Sequence, residues 1–169
     1  MSVDPKNTPT SAKLPEGTRV GIVVSRYHLD ITGSMLNSAK RELASAGVSE
    51  DQLVIASAPG AFELPFLAQE LAVRSDIDAV ICFGLVLKGE TDHDRYISQA
   101  TANAIMDISL RLAVPILFGV LTCSTVEQAI ARSTSAADGG KLDKGREVAR
   151  AAIEVLLSAY EIRKNAPGL

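Results

Sequence analysis

The residues best suited to chemistry in this sequence lie in the segment 84–96, GLVLKGETDHDRY. The apolar run that precedes it predicts a strand buried on both faces, and apolar residues at helical spacing from Ile97 onward predict a helix after Gly89. Thr91 is a favourable N-cap for that helix, and Asp94 occupies the capping-box position three residues later. The unpaired N–H groups at a helix N-terminus favour an anion such as phosphate.

His93 follows this N-cap by two positions and is one of only two histidines in the chain. Imidazole titrates near neutral pH, so a histidine beside a phosphate site is suited to proton transfer. The alternative is an ordinary strand–helix junction, at which His93 is a solvated first-turn residue. This segment alone leaves both interpretations open.

The composition is typical of a globular α/β protein. Hydrophobic residues make up 47% of the 169 residues, whereas aromatic residues make up only 4% and tryptophan is absent. The core must therefore consist of Ala, Val, Ile and Leu, as in a parallel sheet covered by helices. A net charge of -3 without a basic stripe argues against nucleic acid as a partner. Neither a membrane-spanning run nor a secretion signal is evident, which predicts a cytoplasmic protein without a membrane partner.

Strands and helices alternate along the chain, which predicts a flavodoxin-like three-layer α/β/α sandwich with a four-stranded parallel sheet. Residues 1–17 are polar and contain three prolines, so they are predicted to be an extension that is disordered by itself or pairs with a neighbouring subunit's sheet edge. Residues 18–169 are predicted to form a single domain. The predicted strands are 19–25, 52–58, 79–87 and 115–122, and the predicted helices are 31–46, 59–74, 92–112, a short one capped by Ser124 and Glu127 that ends near 134, and 144–163.

Ligands of such sheets bind beyond the carboxyl ends of the strands. Three of the four strand exits carry polar or aromatic residues that a core does not require. Tyr27 is suited to stack on a flat heteroaromatic ring, with His28 beside it, and Glu63 is suited to accept hydrogen bonds from a polyol. The structural alternatives are an aromatic lid on the core, a loop histidine and a carboxylate at a helix N-terminus. Arg132 and Lys144 have structural alternatives too, at a helix end and in an i,i+3 pair.

Several other chemistries lack their motifs. The sequence has no GxxxxGK[ST] loop, no GxGxxG after a strand and no GxSxG elbow. Two separated histidines without an acidic cluster offer no metal site. Cys82 and Cys123 lie in or at the end of apolar strands and form no CxxC pair, so they are predicted to be reduced, packed thiols.

Four segments together resemble the 6,7-dimethyl-8-ribityllumazine synthase family, in family order and over about 20–156. They are RYHLDITGSML (26–36), APGAFELP (58–65), GLVLKGETDHDRY (84–96) and PILFGVLTCSTVEQAIAR (115–132). The resemblance implies the penultimate step of riboflavin biosynthesis. In that step 5-amino-6-(D-ribitylamino)uracil condenses with 3,4-dihydroxy-2-butanone 4-phosphate, and phosphate and water are released. No cofactor is implied, because the first substrate supplies the amine that forms the imine.

The resemblance also implies roles for individual residues. Thr91 and the backbone N–H groups around it correspond to the phosphate cradle, with Arg132 of a neighbouring subunit as its cation. His93 corresponds to the proton-transfer residue, Tyr27 to the aromatic residue that stacks on the pyrimidine, and Glu63 to the ligand of a ribityl hydroxyl. The implied catalytic residues are His93 and Arg132, and the implied substrate-binding residues are Tyr27, His28, Ala61, Phe62, Glu63, Leu85, Val86, Leu87, Gly89, Glu90, Thr91, Phe118 and Lys144.

Three positions depart from the usual family pattern. His28 replaces a common Asn, Lys88 a frequent Arg, and Ala58 the usual Val, but none of them removes a residue with an assigned role. Two alternatives remain beside lumazine synthase. One is a paralogue that binds flavin or lumazine without turnover, and the other is an archaeal-type riboflavin synthase, which needs no phosphate pocket. Riboflavin itself is a product-like ligand for such a site.

The segment between Arg132 and Lys144 bears on assembly. Lys144 follows Arg132 by twelve positions. In family members that close into large shells, the corresponding residues are nearer in sequence, and this turn faces the contacts between pentamers. A longer connection costs one subunit little but interferes between pentamers. The expected assembly is a homopentamer with active sites between subunits, with a decamer as the alternative.

Overall fold

A four-stranded parallel sheet forms the centre of the structure, a computed structural model that describes residues 12–165. Its strands are β1 (Val20–Ser25), β2 (Leu53–Ala58), β3 (Ala79–Leu87) and β4 (Ile116–Cys123), in the order β2-β1-β3-β4. The register aligns Val20 with Leu53 on one side and with Ala79 on the other. The predicted parallel sheet and its flavodoxin-like order are confirmed.

Five α-helices of the described residues cover the two faces of the sheet. They are α1 (Leu29–Ser45), α2 (Leu64–Ala72), α3 (His93–Leu112), α4 (Val126–Ser133) and α5 (Lys144–Lys164). One core cluster joins α1, α4 and α5 to the sheet, and a second joins α2 and α3 to the opposite face. These two clusters confirm the predicted three-layer sandwich.

Strand β3 shows why the sheet needs apolar residues on both faces. Ile81, Phe83 and Leu85 belong to the first cluster, whereas Val80 and Cys82, which point to the other face, belong to the second. Burial raises the pKa of the Cys82 thiol to about 12, so this thiol stays protonated and unreactive. Cys123 is also free and buried, which agrees with the prediction of packed thiols.

The predicted N-terminal extension lies mostly outside the described residues. In its described part, Leu14 is buried in the first cluster, and its amide donates to the Ala46 carbonyl (3.0 Å). Lys13 Nζ donates to the Ser45 carbonyl (2.8 Å), where a cation complements the C-terminal end of α1. Residues 13 and 14 thus contact their own domain, while pairing of the extension with another subunit stays a prediction.

Besides α3, which begins at His93 rather than at 92, three helix starts differ from their predictions. Helix α1 begins two residues early, at Leu29. Helix α2 begins at Leu64 rather than at 59, because the Glu63 carboxylate accepts the Gly60 N–H (2.9 Å) and holds 59–63 in a turn. Thr125, not Ser124, caps α4, since β4 extends through Cys123 and the extended Thr125 accepts the Gln128 amide (3.3 Å).

Helices α1 and α5 approach closely at Gly145, the second residue of α5. A Cβ at this position would overlap the Met35 carbonyl and would lie 2.7 Å from the Met35 Cα. The clash would be with backbone atoms of α1, which cannot move away as a flexible side chain could. The glycine after Lys144 is therefore required by packing.

We expect Gly145→Ala to lower the free energy of unfolding by about 1–3 kcal/mol, because overpacking forces the two helices apart. Denaturant unfolding followed by circular dichroism measures the change. The matched control is Gly33→Ala in α1, where an added Cβ has no neighbour within 4 Å. This control should raise stability by about 0.5–1 kcal/mol through helix propensity. Equal effects of the two variants would contradict the packing argument.

Candidate active site

A cleft of about 820 Å³ lies where β1, β2 and β3 end. These strands are neighbours in the sheet, so their exit loops meet beside the first turn of α3. Most of the predicted site residues line this cleft, namely Tyr27, His28, Ala61, Phe62, Glu63, Leu85, Val86, Leu87, Gly89, Thr91 and His93. Residues that the sequence analysis did not select also line it: Gly60, Asp94, Tyr96, Ile97 and Ala100.

The exit of β1 turns sharply at His28, which adopts the left-handed conformation (φ 56, ψ 54). This turn lets the His28 carbonyl accept the amides of Ile31 (2.9 Å) and Thr32 (3.0 Å). The buried Thr32 hydroxyl in turn donates to the Ser25 carbonyl (2.8 Å) and ties the helix to the strand. Asn and His are among the residues that tolerate this backbone region best, so the departure from Asn at this position retains the turn.

The exit of β2 is fixed by hydrogen bonds between side chains and backbone groups. One oxygen of Glu63 accepts the Gly60 N–H. Gly60 has no Cβ, which leaves room for the Tyr27 ring, because a Cβ at this position would lie 3.3 Å from that ring. The Ala61 carbonyl accepts the hydroxyl of Thr101 on α3 (3.2 Å). Thr101 is a positioning residue that the sequence analysis placed only in the apolar pattern of α3.

The exit of β3 leads into α3, whose N-cap is Asp92 rather than the predicted Thr91. The Asp92 carbonyl accepts the amides of Arg95 (3.1 Å) and Tyr96 (3.3 Å), which starts the helix at His93. The predicted capping box is therefore wrong by one residue: within residues 12–165, no side chain caps this helix. Thr91 lies before the cap and lines the cleft, beside N–H groups that carry the positive end of the helix dipole.

His93 is the first residue of α3, and its exposed side chain lines the cleft together with Thr91 and Asp94. Tyr27 and Glu63 line the same cleft. An anion at the helix N-terminus would therefore lie beside the imidazole. An aromatic ring and a carboxylate would be available for the remainder of a ligand.

Four predicted site residues do not line the cleft of this chain: Glu90, Phe118, Arg132 and Lys144. Arg132 lies in the last turn of α4, and its Nη1 donates to the Gln128 carbonyl (2.9 Å). Burial raises the pKa of the Cys123 thiol, and the positive charge of Arg132 partly offsets this rise. Arg132 therefore lies near Cys123, the last residue of β4. Lys144 Nζ donates to Glu147 (2.6 Å), as in the structural alternative for this pair.

Two further searches concern the described part of the chain. Between residues 12 and 165, no helix is both long and apolar enough to cross a membrane. The same residues contain no group of three or more His, Cys, Asp or Glu side chains arranged to hold a metal ion.

The sheet order and the cleft define a doubly wound α/β protein with a cleft at the carboxyl ends of its strands. Residues 17–159 match the family model of 6,7-dimethyl-8-ribityllumazine synthase. The chain is 41% identical over 139 residues to the 6,7-dimethyl-8-ribityllumazine synthase of Protochlamydia amoebophila (82% of this chain, 78% of the relative). It is 40% identical over 154 residues to that of Rhodopirellula baltica (91% and 96%) and 42% identical over 140 residues to that of Salinibacter ruber (83% and 87%). The chain belongs to the 6,7-dimethyl-8-ribityllumazine synthase family.

A backbone role for His28 predicts a specific pattern of stability. His28→Gly and His28→Asn should unfold near the wild-type temperature, because both residues accept the left-handed conformation. His28→Val should cost about 1–2 kcal/mol, since this conformation brings Cβ against the following carbonyl. Thermal unfolding measures all three variants. A valine variant as stable as the asparagine variant would show that the turn carries no such constraint.

Proposed function

We propose that this protein condenses 5-amino-6-(D-ribitylamino)uracil with 3,4-dihydroxy-2-butanone 4-phosphate to 6,7-dimethyl-8-ribityllumazine, with release of phosphate and water. The observation that carries the proposal is the α3 N-terminus without a side-chain cap, which opens with Thr91 and His93 into the same cleft as Tyr27 and Glu63. Membership of the lumazine synthase family supports the same reaction.

The chemistry needs no protein nucleophile and no cofactor. The primary amine of the uracil attacks the ketone, and loss of water gives an imine. Loss of a proton from the neighbouring hydroxyl-bearing carbon and breakage of the C–O bond to the phosphate give an enol. Its tautomerisation gives a second ketone, which the ribityl-bearing nitrogen attacks to close the ring with further loss of water. The protein's main task is to hold two reactants in register, which is worth about 7–11 kcal/mol in well-oriented cases.

Four residues of the cleft have distinct parts in this task. The phosphate is bound at Thr91 and the N–H groups of the first turn of α3, where the helix dipole favours negative charge. His93, beside that phosphate, transfers the protons that accompany its departure. Tyr27 stacks on the pyrimidine ring, and Glu63 accepts a ribityl hydroxyl through the carboxylate oxygen that does not hold Gly60. An archaeal-type riboflavin synthase would make no use of the phosphate site.

The functional unit we propose is a homo-oligomer with sites between subunits. Arg132, Phe118 and Lys144 do not line the cleft of their own chain, so a neighbouring subunit would supply them. The outer faces of α2 and α3 carry large exposed apolar side chains, as subunit interfaces do. These side chains are Phe66, Met106 and Leu110.

The connection between α4 and α5 supports a pentamer rather than a shell. It contains a 3-10 turn at Ala136–Asp138, and its residues 137–139, 141 and 142 are exposed. A protruding surface of this kind interferes with close contacts between pentamers but leaves contacts within a pentamer unaffected.

The reaction and its division of roles are tested together. The protein incubated with both substrates should form lumazine, followed by absorbance, in step with phosphate release. His93→Ala should lower kcat by up to about 10²–10⁴-fold with little change in KM for the butanone phosphate, because acid–base help acts in the transition state. Arg132→Ala should mainly raise that KM, because a cation for the phosphate is lost.

Two outcomes would contradict these assignments. Tight binding of riboflavin without any lumazine formation by the wild-type protein would indicate the non-catalytic paralogue. A rise in KM alone in both variants would remove the separate proton-transfer role of His93.

The assembly is tested by light scattering of the native protein coupled to size-exclusion chromatography. The expected mass is that of five chains, with ten chains as the alternative, because the longer connection prevents closure of a shell. A mass near that of a complete shell would overturn the argument, and a monomer would contradict sites between subunits. Shortening the connection by deleting residues 136–139 should permit larger assemblies if the connection alone prevents them.

A further inference from the structure

A polar stripe on α1 binds the connection between α4 and α5. Ser34, Ser38 and Arg41 are spaced by four and three residues, so they share one side of the helix. Ser34 Oγ donates to the Ser133 carbonyl (2.8 Å), and Arg41 Nη2 donates to Ser135 Oγ (2.6 Å). The stripe therefore holds the chain directly after the last turn of α4.

The third member of the stripe bonds to a buried carboxylate. Ser38 Oγ lies 2.6 Å from both oxygens of Asp143, which is only 7% exposed. Asp143 Oδ1 also accepts the Arg146 amide (2.9 Å) and so caps α5, while Oδ2 accepts the Ala136 amide (2.9 Å). A single carboxylate thus joins α1, the connection and α5, and both of its buried oxygens are hydrogen-bonded, as buried polar groups require.

The anchored residues 133, 135 and 136 follow closely after Arg132, the residue with a proposed role. Arg132 immediately precedes Ser133, whose carbonyl is held by Ser34. Helix α4 has only eight residues, so its own hydrogen bonds do little to fix where its last turn lies. The bonds at residues 133, 135 and 136 do fix it, relative to α1 and hence to the sheet.

We propose that Asp143 and Ser34 are positioning residues that place the Arg132 guanidinium for the phosphate-bearing substrate. The inference rests on the role of Arg132 proposed above. Neither residue touches substrate. They act by holding the backbone on the C-terminal side of Arg132, and a displacement of about 1 Å at a charged binding group is enough to weaken binding strongly.

Asp143→Asn is the discriminating variant. The single amide oxygen can accept only one of the Arg146 and Ala136 N–H groups, and the NH₂ group faces the other, so the side chain no longer joins α5 to the connection. Ser34→Ala removes the bond to Ser133 and leaves Asp143 intact. The matched control is Ser109→Ala, which loses a bond of the same length to the Val114 carbonyl and also the bond that Ser109 Oγ accepts from the Ile116 amide (3.2 Å), at the amino end of β4 and outside the cleft.

The readout is a KM-against-kcat split for each substrate. We expect Asp143→Asn and Ser34→Ala to raise KM for the butanone phosphate by about tenfold, with kcat and KM for the uracil substrate near wild type. Ser109→Ala should leave all three parameters unchanged. Inhibition by inorganic phosphate should weaken in the same two variants. Circular dichroism and native mass show whether each variant is folded and assembled.

The same substitutions in an Arg132→Ala background decide the mechanism. If the two residues act through Arg132, neither should raise KM further in that background, because contacts in one network are not additive. A rise of equal size with and without Arg132 would overturn the inference while leaving the proposed function intact. An Arg132→Ala protein with unchanged KM would refute the role of Arg132 and this inference with it, whereas absence of turnover in the wild type would refute the function itself.

Discussion

Parallel pairing of β1 with β2 and β3 is the constraint on which the rest of this structure depends. Because the three strands are parallel, their carboxyl ends meet at one edge, and the loops that follow them form one cleft. The order reverses at β1, since the chain adds β2 on one side and β3 on the other. Strand β3 is buried along almost its whole length, as expected for a parallel sheet with helices on both faces. The polar residues lie in the loops beyond the strands, where they cost the core little.

The cleft combines backbone and side-chain features at places where the chain is already held. The left-handed turn at His28 fixes the loop after β1, and the Gly60–Glu63 and Thr101–Ala61 hydrogen bonds fix the loop after β2. Among residues 12–165, no side chain caps the N-terminus of α3, which borders the same cleft. An enzyme of this family would benefit from such rigidity, because its proposed work is orientation of two substrates more than chemistry by the protein.

Helix α1 packs on the core with one side and binds the connection between α4 and α5 with another. Its apolar residues Ile31, Met35, Ala39 and Leu43 pack on the sheet and on α5, and the close approach at Gly145 lets the two helices come together. Its polar residues bond the connection between α4 and α5. The helix that builds the core thereby also sets where α4 ends, which links the packing of the core to the placement of Arg132.

The amino-acid sequence by itself determined the layers and the strand order, because hydrophobic periodicity and the alternation of strands with helices are local properties. The chemistry of the strand exits pointed to Tyr27, His28, Glu63, Thr91 and His93, and the other predicted cleft residues followed from the resemblance to the family. It could not place the starts of α2 at Leu64, of α3 at His93 and of α4 at Val126, since a helix start depends on which hydrogen bonds form after the loop before it has folded. Only the tertiary structure showed that Thr91 precedes the cap, that Thr101 holds Ala61, and that Arg132 and Lys144 lie outside the cleft of their own chain. These are contacts between segments distant in sequence, and no local pattern encodes the distance that they must span.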